Sequence, residues 1–358
     1  MTEDLMLTAH FVINPFTSVH GTYAGLLTST EFGGGGFLSG KVTRQGAFSL
    51  KAILGKLTLP IKGRFSLEGQ FSGRVVVKGT SYQVDLTLNV TGDGARTITG
   101  SIVGGNRSAT LAADLSPFQR RSAPVSANLA GTFNCLLPAN PNVADPNYPI
   151  GLGFARFTVL PSGMAKFSGR IADGSAVSGG APLSGEGRLP FFSSLYGGGG
   201  SISGWMDFDP GQIDHDVSGT LNWSKPRSSR RVVHSEGFSG QSDLFGARIA
   251  TIASFLNSPR QLTLTSPAKD PNPLNVSIPF TFSRNGQTTV SIPSGIPIES
   301  IALKVRPKSG LFSGRVVERN AIRKINGMIV GSKLNRAGGF VLRNGYSTAL
   351  EIEPGVVE

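Results

Sequence analysis

Along most of this chain apolar and polar side chains alternate, and a period of two restricts it to half-buried β-strands. In "YQVDLTLNV", Tyr82, Val84, Leu86, Leu88 and Val90 share one face, while Gln83, Asp85, Thr87 and Asn89 share the other. "DVSGTLNW" sets Val217, Leu221 and Trp223 against Asp216, Thr220 and Asn222. In "NVSIPFTF" the residues Val276, Ile278, Phe280 and Phe282 align, Asn285-Gly286 supplies the positive φ angles of a two-residue hairpin, and Thr288, Val290 and Ile292 run back. Asn344-Gly345 offers a second such turn. The spacing of Ile249, Ile252 and Leu256 makes 243–256 the one helical candidate.

Glycine decides what kind of sheet these strands form. There are 48 glycines in 358 residues, about twice the usual ~7%. Many follow Ser or Thr, and Phe71, Phe167, Phe238 and Phe312 each precede such a pair. A glycine in a strand lets the sheet bend sharply or lets a ring lie across it. The expected fold is therefore all-β: curved antiparallel sheets, as two barrel-like units or a barrel plus a sandwich, with little or no helix. "GGGGFLSGKV" at 33–42 comes close to a phosphate-binding loop, but Val42 stands where that loop needs a hydroxyl. "GGGGSISGWM" at 197–206 repeats the pattern with Trp205 in place of the lysine. Both read as glycine-rich turns feeding strands.

"GTYAGLL" at 21–27 is echoed by "GTFNCLL" at 131–137, each opening a block of about a hundred residues. The division expected is 1–18, a strand (Leu5 to Ile13) and linker serving as the tail of an upstream repeat or as a donor strand; 19–117, a first barrel-like block; 118–256, a second block with a crossover segment; and 257–358, a third block completing the second domain.

The chain has a single cysteine, Cys135, which excludes an internal disulfide and a cysteine-based zinc cluster. There is no G-x-S-x-G elbow, and the four histidines, His10, His20, His215 and His234, form no metal or triad spacing. "DFDPGQIDHD" holds Asp207, Asp209, Asp214 and Asp216, the weak metal candidates; it lacks the D-x-D-x-D-G spacing and closing glutamate of a calcium loop and suffices as a turn. No catalytic residue, metal or cofactor is expected. The net charge of +12 asks for an anionic partner. Basic residues gather at Arg120-Arg121, at Lys225, Arg227, Arg230 and Arg231, and through Lys304, Arg306, Lys308, Arg315, Arg319, Arg323 and Lys324. The second group is the expected anion-binding surface. Nucleic acid is not the expected ligand, because the aromatics follow buried strand positions instead of interleaving with the charges. No run reaches the roughly 18 apolar residues of a membrane-spanning helix.

Several stretches together resemble a module found in the C-terminal parts of large secreted or surface proteins of Verrucomicrobia and related bacteria: "NPFTSVHGTYAGLL" at 14–27, "GLGFARFTV" at 151–159, "SGRIADGSAVS" at 168–178, "LPFFSSLYGGGGSISGWMDF" at 189–208, "SGTLNWSKP" at 218–226, "SGLFSGRVV" at 309–317 and "INGMIVGSKLNRAGGFVL" at 325–342. "LMLTAHF" at 5–11 resembles the last strand of an immunoglobulin-like surface repeat. The resemblance implies a secreted or cell-surface location, with the leader in an upstream part; it carries no catalytic residue and no ligand. Where the module has a Gly-Ser-x-Tyr stretch, this chain has "GQSDLFGARI" at 240–249. The expected function is a non-enzymatic structural or assembly module that associates with other protein chains or copies of itself by strand addition. The alternatives are a binding module for acidic polysaccharide or a cell-envelope polymer, and an outer-membrane β-barrel.

Overall fold

The computed structural model describes residues 13–29, 31, 34–91, 95–228, 230, 233–249, 252–283, 286–290, 292–331 and 333–355. Three eight-stranded antiparallel sheets follow one another along the chain. The first contains β1 (Gly21–Thr28), β2 (Gly36–Val42), β3 (Ala47–Leu54), β4 (Leu57–Arg64), β5 (Gln70–Val77), β6 (Thr80–Leu88), β7 (Thr97–Gly104) and β8 (Arg107–Ser116). The second contains β9 (Gly131–Leu137), β10 (Gly153–Val159), β11 (Met164–Arg170), β12 (Ala176–Pro182), β13 (Arg188–Leu195), β14 (Gly200–Phe208), β15 (Val217–Lys225) and β16 (Phe238–Arg248). The third contains β17 (Arg260–Thr265), β18 (Asn275–Phe282), β19 (Thr288–Val290), β20 (Ile298–Val305), β21 (Leu311–Glu318), β22 (Ala321–Val330), β23 (Arg336–Arg343) and β24 (Tyr346–Pro354). It lends no strand to the second sheet.

Every strand lies beside its sequence neighbour, and in each sheet the last strand returns to pair with the first: β8 with β1, β16 with β9 and β24 with β17. This is an up-and-down barrel opened at one seam, between β4 and β5, between β12 and β13, and between β19 and β20. The sheets are the curved, barrel-like ones that the glycines call for, two nearly closed and the third a half-barrel. Phenyl rings fill the first two seams. Phe71 stands edge-on to Phe48 at 4.9 Å and lies over Gly63, where an added Cβ would come within 2.4 Å of the ring. Phe167 stacks on Phe191 at 4.3 Å across the second seam, over Gly179. At the third seam, a single bridge joins Gln287 to Lys304, and the Leu303 N–H donates to Thr288 Oγ1.

Alternation puts the apolar residues inside. Leu38, Leu59, Ile61 and Val84 fill the first sheet's interior, Phe133, Phe157, Leu221 and Trp223 the second, and Leu262, Ile278, Ile325 and Leu350 the third. The outward positions carry Lys51, Lys62, Arg74 and Asp85, all exposed. A bilayer-spanning barrel wears an apolar band there, so the charged outer positions of the first sheet count against the outer-membrane alternative. The repeated heptapeptides explain how the sheets join. Tyr23 and Phe133 point inward at matching positions, whereas Ala24 packs on the second sheet and Leu136 on the third. Both strands are therefore buried on two faces and lose the alternating pattern. Asn134 Nδ2 completes the second joint by donating to the carbonyls of Ser309 (2.9 Å) and Ile329 (2.8 Å).

The expected helix at 243–256 is a correction. Residues up to Arg248 form β16, whose Gly246 lies against Cys135, and only Ala253–Leu256 makes one helical turn. The Asn344-Gly345 turn has φ values of 50° and 83°, as a two-residue hairpin requires. The strand expected at Leu5 to Ile13 and the turn residue Asn285 lie outside the described residues, except for exposed Ile13.

Candidate functional site

The outer face of the third sheet carries a cluster of cations without ion-pair partners among the described residues. Lys304 on β20, Arg315 on β21 and Lys324 on β22 project outward into a shallow groove of about 640 Å³ beside the open seam. Register brings them together. Arg315 lies directly opposite Lys324, while Lys304 pairs with Ser313 and sits diagonally across from Arg315. Like charges placed opposite each other on a sheet are destabilising. None of the three side chains makes a hydrogen bond or ion pair among the described residues, so no carboxylate relieves the repulsion. Ala302, Ser313 and Asn326 floor the groove, and Ile322, 66% exposed, forms an apolar rim. Such a surface suits a ligand with several spaced anionic groups and a partly apolar backbone. Arg306 and Lys308 sit at the β20–β21 turn, and Arg319 donates to Asn272 at the opposite end.

No protein-family model matches the chain, and no curated protein matches it. Among solved structures it is similar to a double mutant of Transferrin Binding Protein B from Haemophilus parasuis Hp5, with 11% identity, a TM-score of 0.25, and 95% of this chain and 76% of that one covered. The isotype 1 Transferrin binding protein B of serogroup B Neisseria meningitidis gives 10% identity, a TM-score of 0.27, and coverage of 94% and 77%. The endo-1,5-alpha-L-arabinanase of Thermotoga petrophila RKU-1 gives 9% identity, a TM-score of 0.24, and coverage of 90% and 81%. At these scores the likeness carries no argument about what this chain binds or catalyses.

The anion-binding surface expected from Lys225, Arg227, Arg230 and Arg231 is not assembled. Lys225 is the main correction: its side chain is 2% exposed and its Nζ lies 3.0 Å from Asp173, itself buried. The same ammonium donates to the Val233 carbonyl at 2.7 Å. Tyr196 donates to Asp173 and accepts from Trp223 Nε1, closing a buried network; burial and the Asp173 carboxylate push the Tyr196 hydroxyl up. Alternation was the available signal, since Lys225 continues the inward series Val217, Leu221, Trp223. Arg227 is exposed and paired with Glu236, Arg230 is exposed, and Arg231 lies outside the described residues.

The weak metal candidates are also engaged. Asp209 accepts from the Gly211 N–H and from Gln212, Asp214 contacts His215, and Asp207 stands exposed 3.8 Å from Arg188. Asp216 is buried, accepting from the Arg248 N–H and pairing with Lys333 at 2.7 Å. Lys333 Nζ donates further to the carbonyls of Pro210 (3.3 Å), Gln212 (2.6 Å) and His215 (3.4 Å). The acidic loop does wrap a cation, and that cation is the protein's own ammonium. Among the described residues, no three His, Cys, Asp or Glu side chains are placed to share a metal ion. Lys41, the lysine of the phosphate-loop-like stretch, is exposed on β2, and the Gly35 N–H donates to Ser201 Oγ (2.9 Å).

Proposed function

We propose that this chain is a non-enzymatic binding module for an acidic polysaccharide of the cell envelope, displayed at the cell surface or secreted, with the groove of Lys304, Arg315 and Lys324 as its contact. The supporting observation is the Arg315–Lys324 pair, like charges held directly opposite with no ion-pair partner among the described residues. A bound polyanion supplies the missing counter-charge, and three neighbouring strands hold the cations in fixed register. Retention on a heparin-type resin at low salt is the test. It is expected to disappear when Lys304, Arg315 and Lys324 become glutamate and to persist when Arg227 and Arg230 do; the reverse order of effects overturns the assignment.

Self-association by strand addition is the second reading, favoured by the facing edges of β4 and β5, which share no ladder. Deleting residues 1–18 then abolishes oligomers in sedimentation; an unchanged profile rejects it. Among the described residues no helix is long and apolar enough to cross a membrane.

A further inference from the structure

A second site of different chemistry lies where the two glycine-rich stretches meet. A crevice of about 870 Å³ runs between the first and second sheets. Its floor is Gly34 and Gly35; a Cβ at Gly35 would lie 1.9 Å from Ser203 Oγ, so glycine is what lets the two sheets approach here. One wall is the outer face of β14 and β15, carrying Ser203, Trp205, Thr220 and Asn222, and the other presents Thr28 and Thr110 from β1 and β8.

Two features fix the ligand class. First, among the described residues Lys225 is the one ionisable residue of the lining, and its ammonium is held by Asp173 and the Val233 carbonyl. Second, several of its hydrogen-bonding groups are unspent. Ser203, only 6% exposed, makes no side-chain hydrogen bond within the described protein, and neither do Thr28, Thr110 or the Trp205 indole N–H. Asn222 gives its carbonyl oxygen to Gln241 and keeps its amide N–H groups free. Hydroxyl and amide groups left open to the crevice are available to a ligand or to water. Trp205 adds a broad apolar face beside these donors and acceptors; Arg188 covers one side of the ring at 4.4 Å and is anchored by Asp114.

We propose that this crevice binds a neutral oligosaccharide. Uncharged hydroxyls match the unpaired Ser, Thr and Asn groups, the C–H face of a pyranose ring matches the open side of the indole, and the volume accommodates several sugar rings. The site is separate from the basic groove and does not depend on it.

The chain has two tryptophans, and Trp223 is 2% exposed with its N–H on Tyr196, so a ligand-induced change in emission reports Trp205. Xylohexaose, cellohexaose and maltohexaose are titrated, and calorimetry follows the variants. At least one sugar is expected to give a saturable change, weakened about 10-fold or more in Trp205→Ala. The exposed Asn222→Ala guards against misfolding and is expected to weaken binding too. The Lys304→Glu, Arg315→Glu, Lys324→Glu protein keeps full affinity. No saturable response to any of the three sugars, or affinity unchanged from the unaltered protein in both crevice variants, overturns the proposal.

Discussion

His234 should make stability fall as the solution is acidified, by an amount that follows from its surroundings. The ring is 4% exposed, held edge-on between Phe238 and Tyr346. Its Nδ1 lies 2.8 Å from the Asn147 carbonyl, which accepts only, so Nδ1 carries the proton of the neutral ring. Nε2 is then a buried lone pair without a partner. A proton arriving there enters an apolar site, and burial, with a contribution from Lys225, depresses the pKa from 6.5 to about 4 against the opposing pull of the Asn147 carbonyl, Asp173 and Asp145. Above pH ~6.5 folded and unfolded chains hold the ring alike. As pH falls below that, the unfolded chain takes up a proton that the folded chain refuses, so stability is lost, by about 2 kcal/mol at pH ~5 and about 3 kcal/mol near pH ~4, where the loss levels off. Urea unfolding between pH 7.5 and 4 measures it. His234→Gln, which keeps a donor for Asn147 but does not titrate, should lose less stability over the same range by that margin, whatever the carboxylates contribute to both proteins. Equal losses in the two would refute the reasoning.

Four further substitutions probe the framework. Phe167→Ala removes the ring that spans the second seam and is expected to cost about 3 to 5 kcal/mol in urea unfolding; a loss of less than about 1 kcal/mol would mean the seam is closed by something else. Lys225→Met leaves Asp173 buried without its ammonium and should cost about 3 kcal/mol or more, whereas Arg227→Ala, at an exposed pair, should change stability by less than about 1 kcal/mol. Equal effects would return Lys225 to the surface. Lys333→Met strips the acidic loop of its cation and is expected to destabilise by about 2 kcal/mol; unchanged thermal unfolding would mean the loop does not need the ammonium.

The parts of this fold written in local alternation were legible in the sequence, and the parts written in pairing were not. "YQVDLTLNV" alternates because one face of β6 packs in a core and the other meets water, and Asn344-Gly345 announces its hairpin because it must adopt positive φ twice. The 243–256 segment misled because Ile249, Ile252 and Leu256 have a helical spacing, whereas the chain runs as a strand to Arg248 and makes only one helical turn at Ala253–Leu256. Lys225 was misplaced by ending β15 at Trp223; two more residues of alternation turn it inward. The groove was hidden for a different reason. Lys304, Arg315 and Lys324 each stand out as polar positions in alternating strands, but the opposition of Arg315 and Lys324 depends on a tight turn at Arg319-Asn320, with φ values of 47° and 62°. No glycine marks that turn, so the register could not be read. The meeting of the two GGGG stretches is likewise a contact between sheets, which no local pattern encodes.

The Lys324→Glu protein tests the binding assignment most directly, because one change carries two opposite predictions. Glutamate opposite Arg315 replaces a repulsive pair with an attractive one, so urea unfolding should show stability raised by about 0.5 kcal/mol, while retention on the heparin-type resin falls sharply. A protein that becomes more stable and lets go of the polyanion fits cations kept in place for a ligand. Undiminished retention would contradict the account.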